Sequence, residues 1–236
     1  LNILKHRQPG ISTLVQALYF FMIHEVAGIE GIVIAHRTDS AQAIFRRTKI
    51  FDQRCPERRP KKLNNLKELE YDPPHHSALR VAVAEDGLGH GDTRQLVHNS
   101  ELARWGSKAD EVLTGVLISV PNAAGTMVIN ESTAHGVVGP FYEKYTEAEK
   151  GASEYENFFI GWLEDVTCRL EGVPLEDPCW GNMPVEWVED EERLRRLGAE
   201  DAQLAFRRRA IPDRCQGSPE MFREQYPATA AEAFLA

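Results

Sequence analysis

A chain of 236 residues, 42% hydrophobic and 27% charged, has the composition of an ordinary globular domain with a sizeable core. Its formal net charge of −9 argues against a protein that coats nucleic acid over its whole surface, and no apolar run approaches the roughly 20 residues that span a bilayer. Cys55, Cys168, Cys179 and Cys215 stand far apart with no C-x-x-C pair, so a zinc site or disulfide framework is unsupported and a reducing cytosol is the simpler setting.

In chain order, Leu1–Leu4 reads as a buried strand running straight into Lys5-His6-Arg7-Gln8-Pro9-Gly10-Ile11-Ser12-Thr13. So abrupt a start leads us to expect further chain upstream. From Ser12 to about Ala27, Leu14, Leu18, Phe21 and Met22 recur at helical spacing. The run Leu14–Ile23 is too short, and lacks the basic leader, for a signal peptide. Gly31–His36 predicts a fully buried parallel strand, and Thr38 and Asp39 offer the N-cap of a helix reaching about Ile50. Residues 55–76, rich in Pro, Lys and Arg, are expected to form an exposed loop. Strand-like Leu79–Ala84, Gln95–Ser100, Thr126–Ile129 and Asn157–Trp162 then alternate with helices near Lys108–Leu117 and Phe141–Lys150. That alternation implies βαβ units and a mainly parallel sheet. From about Val166 the texture changes: Pro174, Pro178 and Pro184 punctuate an acidic stretch, and a charged helix over roughly 189–209 carries Leu194, Leu197 and Leu204. The division expected is an α/β core over 1–165 and a small C-terminal lobe or linker over 166–236.

A glycine-containing turn between strand and helix, followed by hydroxyl residues, suits phosphate: backbone N–H groups and the helix N-terminus face the anion, and a hydroxyl can ligate Mg²⁺. Gly10-Ile11-Ser12-Thr13 supplies these groups, although Ile11 stands where G-K-[ST] wants lysine; Lys5 can reach the same phosphates from the loop's front edge. An NTPase also needs an acid at the end of a neighbouring buried strand. Two are available, Glu101 after Leu96-Val97-His98-Asn99-Ser100 and Glu131 after Met127-Val128-Ile129-Asn130, and periodicity does not choose between them. Gly87-x-Gly89-x-Gly91 precedes a strand instead of opening a helix, so it is not a dinucleotide fingerprint. His75-His76 reads as a solvated pair, and the four tryptophans as packing residues.

The order of segments decides more than any one of them. Lys5–Thr13 resembles the variant Walker A loop of tailed-phage terminase large subunits, in which the lysine is displaced to the front. His98-Asn99-Ser100-Glu101-Leu102-Ala103-x-Trp105 is similar to their Walker B stretch, with Ser-Glu replacing Asp-Glu. Glu131-Ser132-Thr133-Ala134-His135-Gly136 with Phe141-Tyr142 resembles the coupling motif and its helix. Phe158-Phe159-Ile160-Gly161-Trp162 is similar to the strand that follows, and Tyr226-Pro227-Ala228-Thr229 with Glu232-Ala233-Phe234 to the end of the ATPase region.

The resemblance implies an ASCE-type, helicase-like P-loop NTPase fold. It implies an ATP hydrolase that uses Mg²⁺ to drive double-stranded DNA into a procapsid in the bacterial host cytoplasm. The implied partners are a portal protein, a small terminase subunit and further copies in a homo-oligomeric ring. Carried over by residue, Lys5 and Arg7 act on the phosphates, and Gln8, Gly10 and Ile11 line the loop. Ser12 or Thr13 binds Mg²⁺, Ser100 touches it through water, and Glu101 activates the attacking water. Ser132, Thr133 and Ala134 sense the γ-phosphate. Arg46, Arg47, Lys49, Arg54, Arg58, Arg59, Lys61 and Lys62 form a basic cluster available to DNA, or a solvated helix end and loop. Nuclease activity is not expected from this stretch. A helicase-like DNA-stimulated ATPase and a catalytically weak remnant acting in assembly stay open as alternatives.

Overall fold

A computed structural model describes residues 1–85, 88, 93–177, 180–181 and 183–235. Gly87, Gly89, Gly91 and Asp92 of the glycine series lie outside the described residues, as do Pro178 and Cys179. The chain divides into two compact units: one of 1–3, 10–132 and 138–158, the other of 4–9, 133–137 and 159–236.

Eight strands form one mixed, mainly parallel sheet: β1 (Asn2–Lys5), β2 (Glu30–Ala35), β3 (Lys61–Asn64), β4 (Glu68–Tyr71), β5 (Ala78–Val83), β6 (Leu96–Ser100), β7 (Met127–Ser132) and β8 (Asn157–Ile160). Their order is β3-β4-β5-β2-β6-β7-β1-β8. β5, β2, β6 and β7 run parallel, so the carboxyl ends of β6 and β7 share one edge. Gly31 in central β2 is set by packing, because a Cβ there would stand 2.7 Å from Leu79 Cδ1 and 3.3 Å from Leu96 Cβ. Between strands run α1 (Ile11–Glu25), α2 (Thr38–Arg54), α3 (Ala109–Ile118) and α4 (Pro140–Glu149). Val15, Tyr19 and Ile23 of α1, with Ile44 and Phe45 of α2, pack on Val33, Leu79, Leu96 and Ile129 of the sheet.

Three expectations need correction. Residues 55–76 are not wholly loop: β3 and β4 pair antiparallel and β4 continues onto β5. Glu68-Leu69-Glu70-Tyr71 alternates, with Leu69 and Tyr71 buried, and the surrounding Lys and Pro residues suit a sheet edge that must not recruit another strand. α1 is the expected helix, but Leu14 and Phe21 are exposed and its buried face carries Gln16 and His24. The charged helix is two, α5 (Val185–Arg196) and α6 (Asp201–Arg214). Gly198 at φ +97° ends the first, and a reciprocal box between Glu200 and Gln203 starts the second, which leaves Leu197 exposed.

The second unit gathers α5, α6, α7 (Pro219–Gln225) and α8 (Ala230–Leu235) around Trp162, Leu204, Phe206, Ile211 and Phe222. Arg207 is buried there, 2.6 Å from Asp190, while Arg208 grips Glu191 through two 2.8 Å bonds. Trp105 and Trp162 are buried packing residues, as expected. His75 is not simply solvated: its Nε2 lies 2.7 Å from the Ile23 carbonyl.

Candidate nucleotide site

Gly10 adopts φ +83°, which glycine reaches without a Cβ penalty, and the chain turns there into the 15-residue α1. The Gly10 carbonyl accepts from Thr13 N and Leu14 N at 2.9 and 3.1 Å. Gly10 has no side chain to cap this first turn, so the Ile11 and Ser12 amides receive no side-chain acceptor from the N-cap. A Cβ built on Gly10 meets nothing within 4 Å, so the positive φ and not crowding sets glycine here.

Behind that turn is a buried polar cluster. Ser12 Oγ donates to Glu131 Oε1 at 2.5 Å, and Ser100 Oγ donates to the same oxygen at 3.0 Å. His98 Nε2 lies 3.1 Å from it. Ser100 and Glu131 are register partners at the ends of β6 and β7, which brings their side chains together. His98 Nδ1 is 2.9 Å from Gln16 Nε2, and Thr48 Oγ1 donates to Gln16 Oε1 at 2.7 Å. Gln16 thus bridges His98 Nδ1 and the Thr48 hydroxyl within the buried cluster.

A second buried chain of side-chain amides crosses the same sheet. Asn99 Nδ2 donates to Asn130 Oδ1 and Asn130 Nδ2 to Asn2 Oδ1, each at 2.8 Å. Asn2 Nδ2 donates to Asn157 Oδ1 at 3.0 Å, and Asn157 to the Tyr145 carbonyl at 2.6 Å. These amides tie β6, β7, β1 and β8 together edge to edge.

The residues singled out by sequence fall as follows. Ser12 faces Glu131, while Thr13 is half-buried in the first turn. Ile11 is the first residue of α1. Glu101 follows β6 in a left-handed conformation, φ +53°, with Arg104 at 3.8 Å. That backbone is uncommon for a non-glycine residue, and such strain gathers at functional sites. Ser132 is buried and accepts from Ala103 N at 3.1 Å, linking the end of β7 to the turn after Glu101. In the second unit, Lys5 is the buried last residue of β1. Arg7 is exposed with its amide bonded to the Gln225 carbonyl, and Gln8 is left-handed at φ +63°. Thr133 and Ala134 are buried. The resemblance gives the acid's role to Glu101, whereas the carboxylate in contact with Ser12 is Glu131. His98, Gln16 and Thr48 carried no sequence signal beyond polar residues in apolar surroundings.

His6 belongs to a different arrangement. Its Nε2 pairs with Asp165 Oδ2 at 3.2 Å, and Asp165 Oδ1 accepts from Thr167 N and Oγ1 at 2.7 and 2.8 Å. Burial lowers the His6 pKa, partly offset by the Asp165 charge. The nearby Cys168 thiol is pushed up to about 12, chiefly by burial.

The basic cluster is partly matched within the first unit. Lys61 pairs with Asp52 at 3.1 Å and Lys62 with Glu70 at 2.8 Å. Lys49 donates to the Asn65 carbonyl and Arg58 to that of Gln53.

No protein-family model matches the sequence, and no curated protein matches it. Solved structures do match. The large terminase ATPase domain of a Thermus phage aligns at TM-score 0.53 and 19% identity, covering 96% of this chain and 87% of that one. The large terminase of a thermophilic bacteriophage aligns at TM-score 0.56 and 9% identity, over 84% of this chain and 44% of that one. The ATPγS complex of that second terminase aligns at TM-score 0.52 and 8% identity, over 86% and 45%. The chain therefore has the fold of large terminase ATPase domains and spans less than half of the longer structures it matches. No helix among the described residues is long and apolar enough to cross a membrane.

Proposed function

We propose that this chain is an ATPase motor domain of a terminase large subunit, hydrolysing ATP to move double-stranded DNA into a procapsid. The observation that carries the reading is the uncapped N-terminus of α1 with Ser12 bonded to a buried strand-end carboxylate. An anion is favoured at such a helix end by its amides and dipole, and a hydroxyl beside a carboxylate is a donor set for a hard divalent cation. The residues present fit Mg²⁺. Ser12 has one hydroxyl proton, and giving it to Glu131 leaves the lone pairs of Oγ to a metal. The metal, when bound with ATP, would neutralise charge on the β- and γ-phosphates.

In this reading the Gly10–Thr13 turn cradles the phosphates, with Gln8 and Ile11 shaping it, and Lys5 and Arg7 supply cationic charge. Glu101 orients the attacking water and accepts its proton, while Ser132, Thr133 and Ala134 report the γ-phosphate. Ser100 acts on the metal through water. Portal and small-subunit partners, a ring of copies and a place in the host cytoplasm belong to the same proposal. The second reading is an assembly remnant with weak catalysis, favoured by Ile11 and Ser100 where lysine and aspartate are usual.

Steady-state ATP turnover of the chain and of Glu101→Gln, with equilibrium ATP binding alongside, separates the two. The motor reading expects turnover in the parent and its loss in Glu101→Gln with binding retained. Poor binding without turnover in the parent would favour the remnant, and turnover that survives Glu101→Gln would overturn the role given to Glu101.

A further inference from the structure

We infer that Glu131, on β7, is the carboxylate that organises Mg²⁺ at this site, in place of the uncharged Ser100 on β6. The inference rests on the nucleotide-site reading above and deepens it. Three observations support it. First, Ser100 ends β6 with a hydroxyl that carries no charge, so β6 brings no carboxylate to the Ser12 hydroxyl from this position. Second, β7 lies between β6 and β1 in the sheet, and Glu131 is the register partner of Ser100. A carboxylate on that intervening strand is one strand spacing, about 4.8 Å, nearer to the turn that follows β1. Third, Glu131 Oε1 collects Ser12, Ser100 and His98 at 2.5, 3.0 and 3.1 Å.

A fully buried carboxylate is costly unless donors surround it, and here the donors are chosen. Ser12 and Ser100 donate to it, and His98 stands 3.1 Å away with its other ring nitrogen engaged by Gln16, itself bonded to Thr48. Ser12 gives its proton inward, which turns its lone pairs outward at the head of α1. Magnesium keeps several waters and takes few protein ligands, so an outer carboxylate that orients a hydroxyl ligand suffices. The carboxylate has moved across one strand, and the serine left on β6 has become one of its supports. A purely structural Glu131 would lose stability on substitution without touching metal coupling.

The test is ADP affinity of the whole chain with and without Mg²⁺, by titration calorimetry, with Mn²⁺ electron paramagnetic resonance reporting the ion directly. Coupling in the parent should be about tenfold or more, within the usual range for linked sites. In Glu131→Gln the ratio should fall to near unity while metal-free ADP binding persists, and the bound Mn²⁺ signal should vanish. Ser100→Asp/Glu131→Gln, which returns a carboxylate to β6, should restore both; circular dichroism confirms that each variant is folded. Should Glu131→Gln not fold, the double variant decides alone: coupling present supports the inference, coupling absent overturns it. Unchanged coupling in folded Glu131→Gln overturns it as well. A parent that binds ADP neither with nor without Mg²⁺ refutes the nucleotide-site reading itself.

Discussion

Replacing His98 by leucine isolates the polar pin behind the nucleotide turn. The side chain is fully buried, and its two ring nitrogens lie 3.1 Å from Glu131 and 2.9 Å from Gln16. Leucine fills comparable space but cannot bond Gln16. Gln16 then holds a buried amide group without its partner, and Glu131 loses a polar neighbour. An orphaned buried group costs about 1–3 kcal/mol, so the loss should be about 1–3 kcal/mol of a total of about 5–15. Urea denaturation followed by circular dichroism reads this as a lowered midpoint. The same reasoning fixes a coupling: Gln16→Leu should cost less on the His98→Leu background than on the parent, by about 1–2 kcal/mol. A His98→Leu loss below about 1 kcal/mol, or strict additivity in the cycle, would refute the contact sequence as drawn.

The amide chain across the sheet predicts that Asn130→Leu orphans Asn99 Nδ2 and Asn2 Oδ1, at about 1–3 kcal/mol each, and hydrogen exchange should rise in β6, β7 and β1 together. Exchange raised in β7 alone would contradict it. His6 has a lowered folded-state pKa, so the unfolded chain takes up the proton first as pH falls. Stability should therefore drop as pH decreases below about 6.5 and recover above it, and His6→Gln should flatten that dependence in denaturant midpoints; a midpoint rising on acidification would reverse the sign. Neutralising Arg58, Arg59, Lys61 and Lys62 together should weaken duplex DNA binding. Because Lys61 and Lys62 are already paired with acids, the log–log salt slope should flatten by about 2, not by the roughly 4 of four free cations. An unchanged slope would move the DNA-facing surface elsewhere.

The parallel core was legible because its strands are continuous apolar runs separated by helical spacing; Gly31-Ile32-Val33-Ile34 and Leu96-Val97 need little tertiary context. The sheet edge was hidden because β4 is four residues long and its alternation, Glu68-Leu69-Glu70-Tyr71, is embedded in proline and lysine. α1 misled about its face, since Leu14 and Phe21 fit the helical period as well as Val15, Tyr19 and Ile23 do. At the site, Ser12 could be found from its turn, whereas its partner could not. Whether Glu101 or Glu131 faces Ser12 depends on strand order and register, and neither is written in local periodicity. His98 and Gln16 looked like polar interruptions of buried faces, and only the fold brings them to one carboxylate.

The most direct measurement is an experimental structure of this chain grown with Mg²⁺ and ATPγS. The account predicts phosphate oxygens at the amides of the Gly10–Thr13 turn and the metal on Ser12 Oγ, with Glu131 oriented toward that ligand set. Nucleotide bound away from the head of α1, or a metal remote from Ser12, would contradict it.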